Sequence, residues 1–302
     1  MAATAIAVEV PDWEVPEQIG LWTDAWRRFR RNSLAVTSLV IVILLILTAL
    51  GAPLLEKLGL LADPTAQDVA LSYAPVGTPH HIFGTDELGR DVLAKLVFGS
   101  QVSLAIGFMV QAIVLLIGGT IGLVAGYFGG WVDNALMRFT DIMYAFPDLL
   151  FVLIIVAALG PSFLNIFVAI GLVSWVGLAR LVRGQVLSIK EKEYVEAAHA
   201  AGSSPFKIIV KHLLPNALGP VIVVLTFGIP AAIFTEAVLD FLGVGLRPPT
   251  PSWGVMVFDG YAAADAFPSL VLVPCAVLSV TMLAFNFIGD GLRDALDPRM
   301  RR

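Results

Sequence analysis

Residues 33–52 read SLAVTSLVIVILLILTALGA, twenty residues without a charge. At about 1.5 Å of rise per residue, a helix of this length covers the roughly 30 Å hydrocarbon core of a bilayer. Five further stretches share its character: about Leu104–Tyr127, Asp141–Leu159, Phe163–Ala179, Ala217–Leu239 and Ser269–Gly289. The turn Gly160-Pro161 separates the third from the fourth. The fold class expected is therefore an all-α polytopic membrane protein with six transmembrane helices. The rest of the composition agrees: 58% of the 302 residues are hydrophobic and 14% are charged, where a soluble domain carries about a quarter of its residues as charges.

The connecting pieces set the organisation. Residues 1–32 form an N-terminal tail, 33–52 the first span, 53–103 a long polar loop ending in a helix over Arg90–Phe98, 104–290 the core domain and 291–302 a C-terminal tail. Within the core, residues 180–216 are a charged segment and 240–268 a loop with Pro248, Pro249 and Pro251. Basic residues concentrate on the cytoplasmic side of membrane proteins. With the N-terminus inside, the inner pieces hold Arg27, Arg28, Arg30, Arg31, Arg138, six Lys or Arg residues from Arg180 to Lys211, and Arg293, Arg299, Arg301 and Arg302. The outer pieces hold Lys57, Arg90, Lys95 and Arg247. That asymmetry places both termini in the cytoplasm and the 53–103 loop outside. Trp22 and Trp26 then fall near the inner interface, where amphipathic rings are favoured. The acidic start, with Glu9, Asp12, Glu14 and Glu17, does not read as a cleaved signal. The single Cys275 excludes a disulfide framework and reads as a packing residue.

Residues 180–216 read RLVRGQVLSIKEKEYVEAAHAAGSSPFKIIVKHLLPN. Tyr194–Ala201 is rich in helix formers and stops at Gly202, as a helix C-terminus does. Ser203 or Ser204 caps a second helix with Pro205 at its first position. Phe206, Ile209, Val210 and Leu213 recur there at helical spacing and make an apolar face. Two short helices joined by a glycine turn fit either a cytoplasmic partner's groove or a plain interfacial linker.

The run Glu196-Ala197-Ala198, three residues, Gly202, and then Leu214-Pro215 resembles the EAA loop of binding-protein-dependent ABC import permeases. His212 stands two residues before the Leu-Pro, where the family favours Ile. HHIFGTDELGRDVL (His80–Leu93), GYFGGWVDNALMRFTDIMYAFP (Gly126–Pro147), SWVGLARLVRGQVLSIKEKEYVEAA (Ser174–Ala198), FLGVGLRPPTPSWG (Phe241–Gly254) and LAFNFIGDGLRDALDPR (Leu283–Arg299) resemble the dipeptide/oligopeptide group, and specifically its C-type permease. The resemblance runs through most of residues 33–302 and leaves 1–20 out.

The resemblance implies a type I ABC importer permease fold in the cytoplasmic membrane, with both termini inside. It also implies partners: a second homologous permease forming a heterodimer, two ATP-binding subunits, an extracytoplasmic solute-binding protein and the surrounding lipid bilayer, with no nucleic acid. The chain would be a non-catalytic subunit, since it has no phosphate-cradling glycine loop followed by Lys-Ser/Thr. The coupling residues it implies are Glu196, Ala197, Ala198, Gly202, Phe206, Leu214 and Pro215. Glu196 either meets a basic group on the partner or caps its own segment. Di- or oligopeptides are the implied cargo; nickel, glutathione or oligosaccharide are alternatives within the same group, and an ion-gradient-driven secondary transporter is the alternative from another class. Candidates for the translocation path are Asp148, in a span where charge is costly, the small-residue positions Gly118 and Gly122, and Asn286. Gly118, Gly122 and Gly126 fit packing within the subunit equally well. Glu236 and Asp290 fall near span ends. His80, His81 and Asp86 invite a metal reading, but adjacent histidines point apart and an outer loop offers them water; no metal and no cofactor are expected.

Overall fold

A computed structural model describes residues 20–297. The tail acids Glu9, Asp12, Glu14 and Glu17 lie outside this range, as do Arg299, Arg301 and Arg302. The elements in order are α1 (Leu21–Phe29), α2 (Ser33–Lys57), α3 (Val92–Phe128), α4 (Gly130–Tyr144), α5 (Asp148–Leu159), α6 (Phe163–Ser174), α7 (Val176–Lys190), α8 (Glu193–Ala200), α9 (Pro205–Phe241), α10 (Trp253–Tyr261) and α11 (Ser269–Leu296). Helices α2, α3, α9 and α11 are each long and apolar enough to cross a bilayer. The pairs α4–α5 and α6–α7 pass the same test jointly but are bent by 83° and 42°. Six crossings result when each bent pair counts as one.

Several boundaries depart from the sequence expectation, each for a local reason. Helix α2 continues past Ala52 to Lys57 with Pro53 inside it. The helix expected over Arg90–Phe98 and the span expected over Leu104–Tyr127 are one helix. Asp91 starts it by accepting from the Ala94 N–H at 2.6 Å. The polar residues between the two expected segments turn inward rather than breaking it: Gln101 Nε2 donates to the Ala49 carbonyl of α2 at 2.6 Å. The third span is not continuous. Pro147 lacks an N–H and restricts the residue before it, so the chain stops at Tyr144 and restarts at Asp148. The fourth is interrupted at Trp175. The fifth begins at Pro205, well before Ala217, and the sixth runs on to Leu296.

Two apolar clusters hold these helices together. In one, the N-terminal part of α3 packs with α2, α9, α10 and α11, with Leu104, Ile233, Trp253 and Phe285 at its centre. Helix α1 joins this cluster through Ala25 and Phe29 and leaves Trp22 and Trp26 exposed. In the other cluster the C-terminal part of α3 packs with α5 through α9. There Gly118, Gly122 and Gly126 form a seam against α7. A Cβ at Gly118 would come 2.6 Å from the Trp175 carbonyl oxygen, one at Gly122 2.4 Å from that of Ala179, and one at Gly126 2.8 Å from Val186 Cβ. Only hydrogen atoms at these three positions let the two backbones meet.

The loop between α2 and α3 is pinned by a buried ionic cluster. Asp86 accepts from Arg90 Nε at 2.7 Å and from Lys95 Nζ at 2.9 Å, and Lys95 also reaches Asp259 of α10 at 3.3 Å. Burial pushes the Asp86 carboxyl up, but Lys95 and Arg90 together outweigh it and hold the group below the ordinary carboxylate value. His81 turns away to Asp91, Nδ1 to Oδ2 at 2.7 Å, so His80, His81 and Asp86 do not converge.

Gly122→Val should cost about 1–3 kcal/mol or more, the usual range for forcing methyl groups into a filled contact. Gly184→Ala on the same α7, where nothing lies within 4 Å of the added Cβ, should be neutral or slightly stabilising. Thermal midpoints of the two purified variants, compared with the parent chain, check the seam.

Candidate functional site

The segment joining α7 to α9 folds as the sequence suggests at its turn. Helix α8 ends with the Gly202 N–H donating to the His199 carbonyl at 2.9 Å and the Ser203 N–H to that of Ala198 at 3.1 Å. That pair of bonds is the Schellman arrangement, which needs a left-handed residue, and Gly202 supplies it with φ of 73°. Ser204 then caps α9, its Oγ accepting from the Lys207 N–H at 3.4 Å, with Pro205 following.

The second helix of the pair is not a separate short helix. It is the first part of α9. A π-turn over Ile209–Leu213 leads into Leu214 and Pro215, and the helix continues to Phe241. Pro215 thus does not end it; the ladder widens just before the residue that has no N–H to contribute.

Side chains divide cleanly. Val195, Ile208 and Leu213 are fully buried in the second apolar cluster, and Ala198 packs against it. Of the four residues read as one apolar face, Phe206 is 75% exposed and Val210 is exposed as well. Leu213 is buried with Ile208, and Ile209 packs against the same cluster, so the face divides between an inward and an outward side. Phe206, Val210 and Leu214, spaced by four, form an uncovered apolar stripe, with Tyr194 of α8 also exposed. Glu196, Ala197, Gly202 and Pro215 are exposed around it. Two residues that sequence reasoning passed over anchor this hairpin. Lys190 Nζ donates to the Tyr127 carbonyl at the end of α3 at 2.7 Å, and the Tyr127 ring stacks on His199 at 6.4 Å. Beside them Arg183 of α7 grips Asp133 of α4 with two hydrogen bonds, at 2.5 and 2.6 Å.

Deeper in the membrane region lies a cavity of about 540 Å³ between α3, the α4–α5 break, α6–α7 and α9. Its polar lining includes Gln111, Tyr144, Asp148, Ser174 and Thr235, set among apolar groups such as Val238. Asp148 is therefore in the cavity wall. Gly118, Gly122 and Asn286 do not line it: the two glycines are closed off in the α3–α7 seam, and Asn286 is half-buried on α11. Gln111 and Thr235 escaped the sequence reading, which took Asp148, two small residues and Asn286 as its candidates; both are uncharged polar side chains in apolar runs, the signal that marked Asn286 but was not followed elsewhere.

Residues 118–302 match the family described as binding-protein-dependent transport system inner membrane component, and residues 20–75 match the N-terminal TM domain of oligopeptide transport permease C. The chain is 40% identical over 286 residues to the oligopeptide transport system permease protein OppC of Bacillus subtilis, covering 95% of this chain and 92% of that protein. It is 44% identical over 281 residues to the dipeptide transport system permease protein DppC of the same organism, covering 92% and 86%. Among solved structures, a chain of the MetNI methionine ABC transporter in an inward-facing conformation superposes with a TM-score of 0.52 at 20% identity, over 68% of this chain and 97% of that one. The chain belongs to the family of binding-protein-dependent transport inner membrane components, and its fold is that of type I ABC importer permeases.

Truncating Phe206 to Ala should leave the thermal midpoint unchanged, because the ring touches little. Val195→Ala should lower stability by about 2 kcal/mol, from two buried methyl groups and the space they leave. Parallel melts of the two purified variants decide whether the hairpin has the inward and outward faces described here.

Proposed function

We propose that this member of the family is one of two permease subunits in an ATP-driven importer of di- and oligopeptides, and that the hairpin Glu193–Leu213 is where an ATP-binding subunit docks. One observation carries the reading. The uncovered apolar stripe of the hairpin and the wall of the membrane cavity belong to the same helix, α9. A partner that moves Phe206 moves Gly228, Thr235 and Val238 with it, with no loop between to absorb the motion.

The reading orders the other parts. Both termini and the hairpin face the cytoplasm, where the basic residues concentrate. ATP is bound and hydrolysed on the partner subunits; closure of their dimer carries the hairpin, and the anchoring of α8 on Tyr127 and Lys190 passes the displacement to α3 and α7. Such rigid-body switching between two packed arrangements is how interfaces convert small shifts into opening and closing. The cavity is one half of the path, closed by a second, homologous permease, with Asp148 presenting a carboxylate to solute. A solute-binding protein delivers cargo to the outer face and sets most of the choice among peptides, nickel, glutathione or oligosaccharide. The peptide assignment rests on the relatives named as oligopeptide and dipeptide permeases. A carrier driven by an ion gradient has no use for an exposed apolar hairpin wired into the cavity wall.

Phe206→Asp should leave the amount of protein in the membrane unchanged while reducing co-purification of the ATP-binding subunits about tenfold or more, the effect of losing one buried aromatic at an interface. In proteoliposomes holding the full complex and binding protein, labelled dipeptide should enter only with ATP. Uptake driven by a proton or sodium gradient without ATP, or undiminished ATPase recovery with Phe206→Asp, refutes the reading.

A further inference from the structure

On the side of α9 turned away from the cavity, two carboxyl groups sit one helical turn apart. Glu236 is fully buried, and Asp240 is 2% exposed. At i and i+4 they share one face of α9 and are neighbours there. Among the described residues neither forms an ion pair with Lys, Arg or His. The groups facing them from the neighbouring elements are uncharged. Ser103 of α3 donates to Glu236 Oε2 at 3.2 Å and itself receives the Trp253 N–H at 3.3 Å. Ser252, the cap of α10, donates to Asp240 Oδ2 at 2.5 Å, and the Leu246 N–H donates to Asp240 Oδ1 at 2.5 Å. Glu236 Oε1 accepts from no donor at all.

Two ionised carboxylates cannot stay in contact in a water-poor site without a compensating positive charge. Something positive must lie between them, and the space available decides what. A Cβ on Gly245 would come 1.9 Å from Asp240 Oδ1, and one on Gly254 2.8 Å from Asp240 Oδ2 and 2.6 Å from Ala237 Cα. The Asp240 carboxyl is wrapped in backbone on both oxygens, which leaves no room for the several oxygen ligands at 2.0–2.6 Å that a hard metal cation takes. A proton needs no such shell. It also explains the one oxygen without a donor: Oε1 is a donor itself.

We propose that Glu236 and Asp240 form a proton-binding site that holds one proton between them, with Glu236 as the neutral acid and Asp240 as the acceptor. The pair then carries a single negative charge, which Ser252, the Leu246 N–H and the N-terminus of α10 receive. Through Ser103 and Ser252 the site ties α9, α3 and α10 into one unit at the end of α9 opposite the docking hairpin. It serves as a clamp and not as a stage in a proton route, because its neighbours are hydroxyl and backbone groups that hold their bonds to other partners. This inference is independent of the ATP-driven reading and of the cargo.

The test is infrared spectroscopy of the purified full chain at neutral pH, where exposed carboxyls are ionised. A protonated carboxyl has a C=O stretch that carboxylates lack. The chain should show this band, shifted in D₂O, and the band should vanish in E236Q and move or vanish in D240N. Either variant suffices if the other does not fold. A parent chain without the band overturns the proposal, as does a band left unchanged by the substitutions. Sodium provides a second arm: the thermal midpoint should be indifferent to replacing potassium chloride by sodium chloride, and a rise specific to sodium would mean that a metal cation fills the site instead.

Discussion

Helix α9 carries Pro215, Pro220 and Pro230 and yet remains one helix from Pro205 to Phe241. Each proline removes a ladder hydrogen bond, and hydrocarbon offers no replacement for a missing partner. The helix survives because its surroundings are protein where the ladder is weakest. Leu213 and Ala217 are buried in the cluster around α8, and Ile229, Pro230, Ala232 and Ile233 are buried against α3 and its neighbours. Where tolerance is needed it takes the form of a π-turn over Ile209–Leu213 and not a break. A displacement imposed at the Pro205 end therefore has to be expressed as a movement of the whole rod, and everything built along it inherits that constraint.

The other rigid connection is the glycine seam. Because the α3 and α7 backbones meet at Gly118, Gly122 and Gly126, dispersion contacts between them are dense and there is no long side chain to swing aside. The two helices move as a pair, and Tyr127 at the end of α3 holds Lys190 of α7 through its carbonyl while its ring stacks on His199 of α8. Flexure then falls where the hydrogen-bond ladder is already interrupted. The α4–α5 corner at Ala145–Pro147 and the bend at Trp175 are such places, and both border the cavity through Tyr144, Asp148, Ser174 and Val176.

What the sequence disclosed and what it withheld follow from the same physics. Turn chemistry is local, so Gly160-Pro161, the Gly202 stop, the Ser204 cap and Pro205 were legible residue by residue. The existence of spans was legible because charge and length alone report them. The course of the spans was not. Pro53 and Pro147 look alike in a sequence, yet the first is carried inside α2 and the second turns the chain by 83°; only what packs around them decides. The single apolar face read over Phe206, Ile209, Val210 and Leu213 divides between an inward and an outward side, and the sequence could not separate them because these residues and Ile208 are all apolar. When nearly every position is apolar, periodicity gives the helix without its phase. The same limit hid the cavity, whose lining mixes Gln111 and Thr235 with valines that look no different from lipid-facing ones.

The two polar features that a membrane protein can least easily bury are instructive in their placement. Asp148 opens onto the cavity, where water or solute can reach it. Glu236 and Asp240 lie on the other side of α9, against α3 and α10, where neither can. Burial of ionisable groups in hydrocarbon is costly enough that one without a use would be expected to vanish. The Asp148 side chain is exposed in the wall of the cavity. The other two are held by hydrogen bonds from the Ser103 and Ser252 hydroxyls. The acids thus sort by the side of α9 on which they lie: Asp148 of α5 stands in the cavity wall, and the α9 pair on the opposite side is kept dry and bonded. The acidic groups on α9 and its neighbours therefore mark the boundary between the wall of the cavity and the frame that carries the wall.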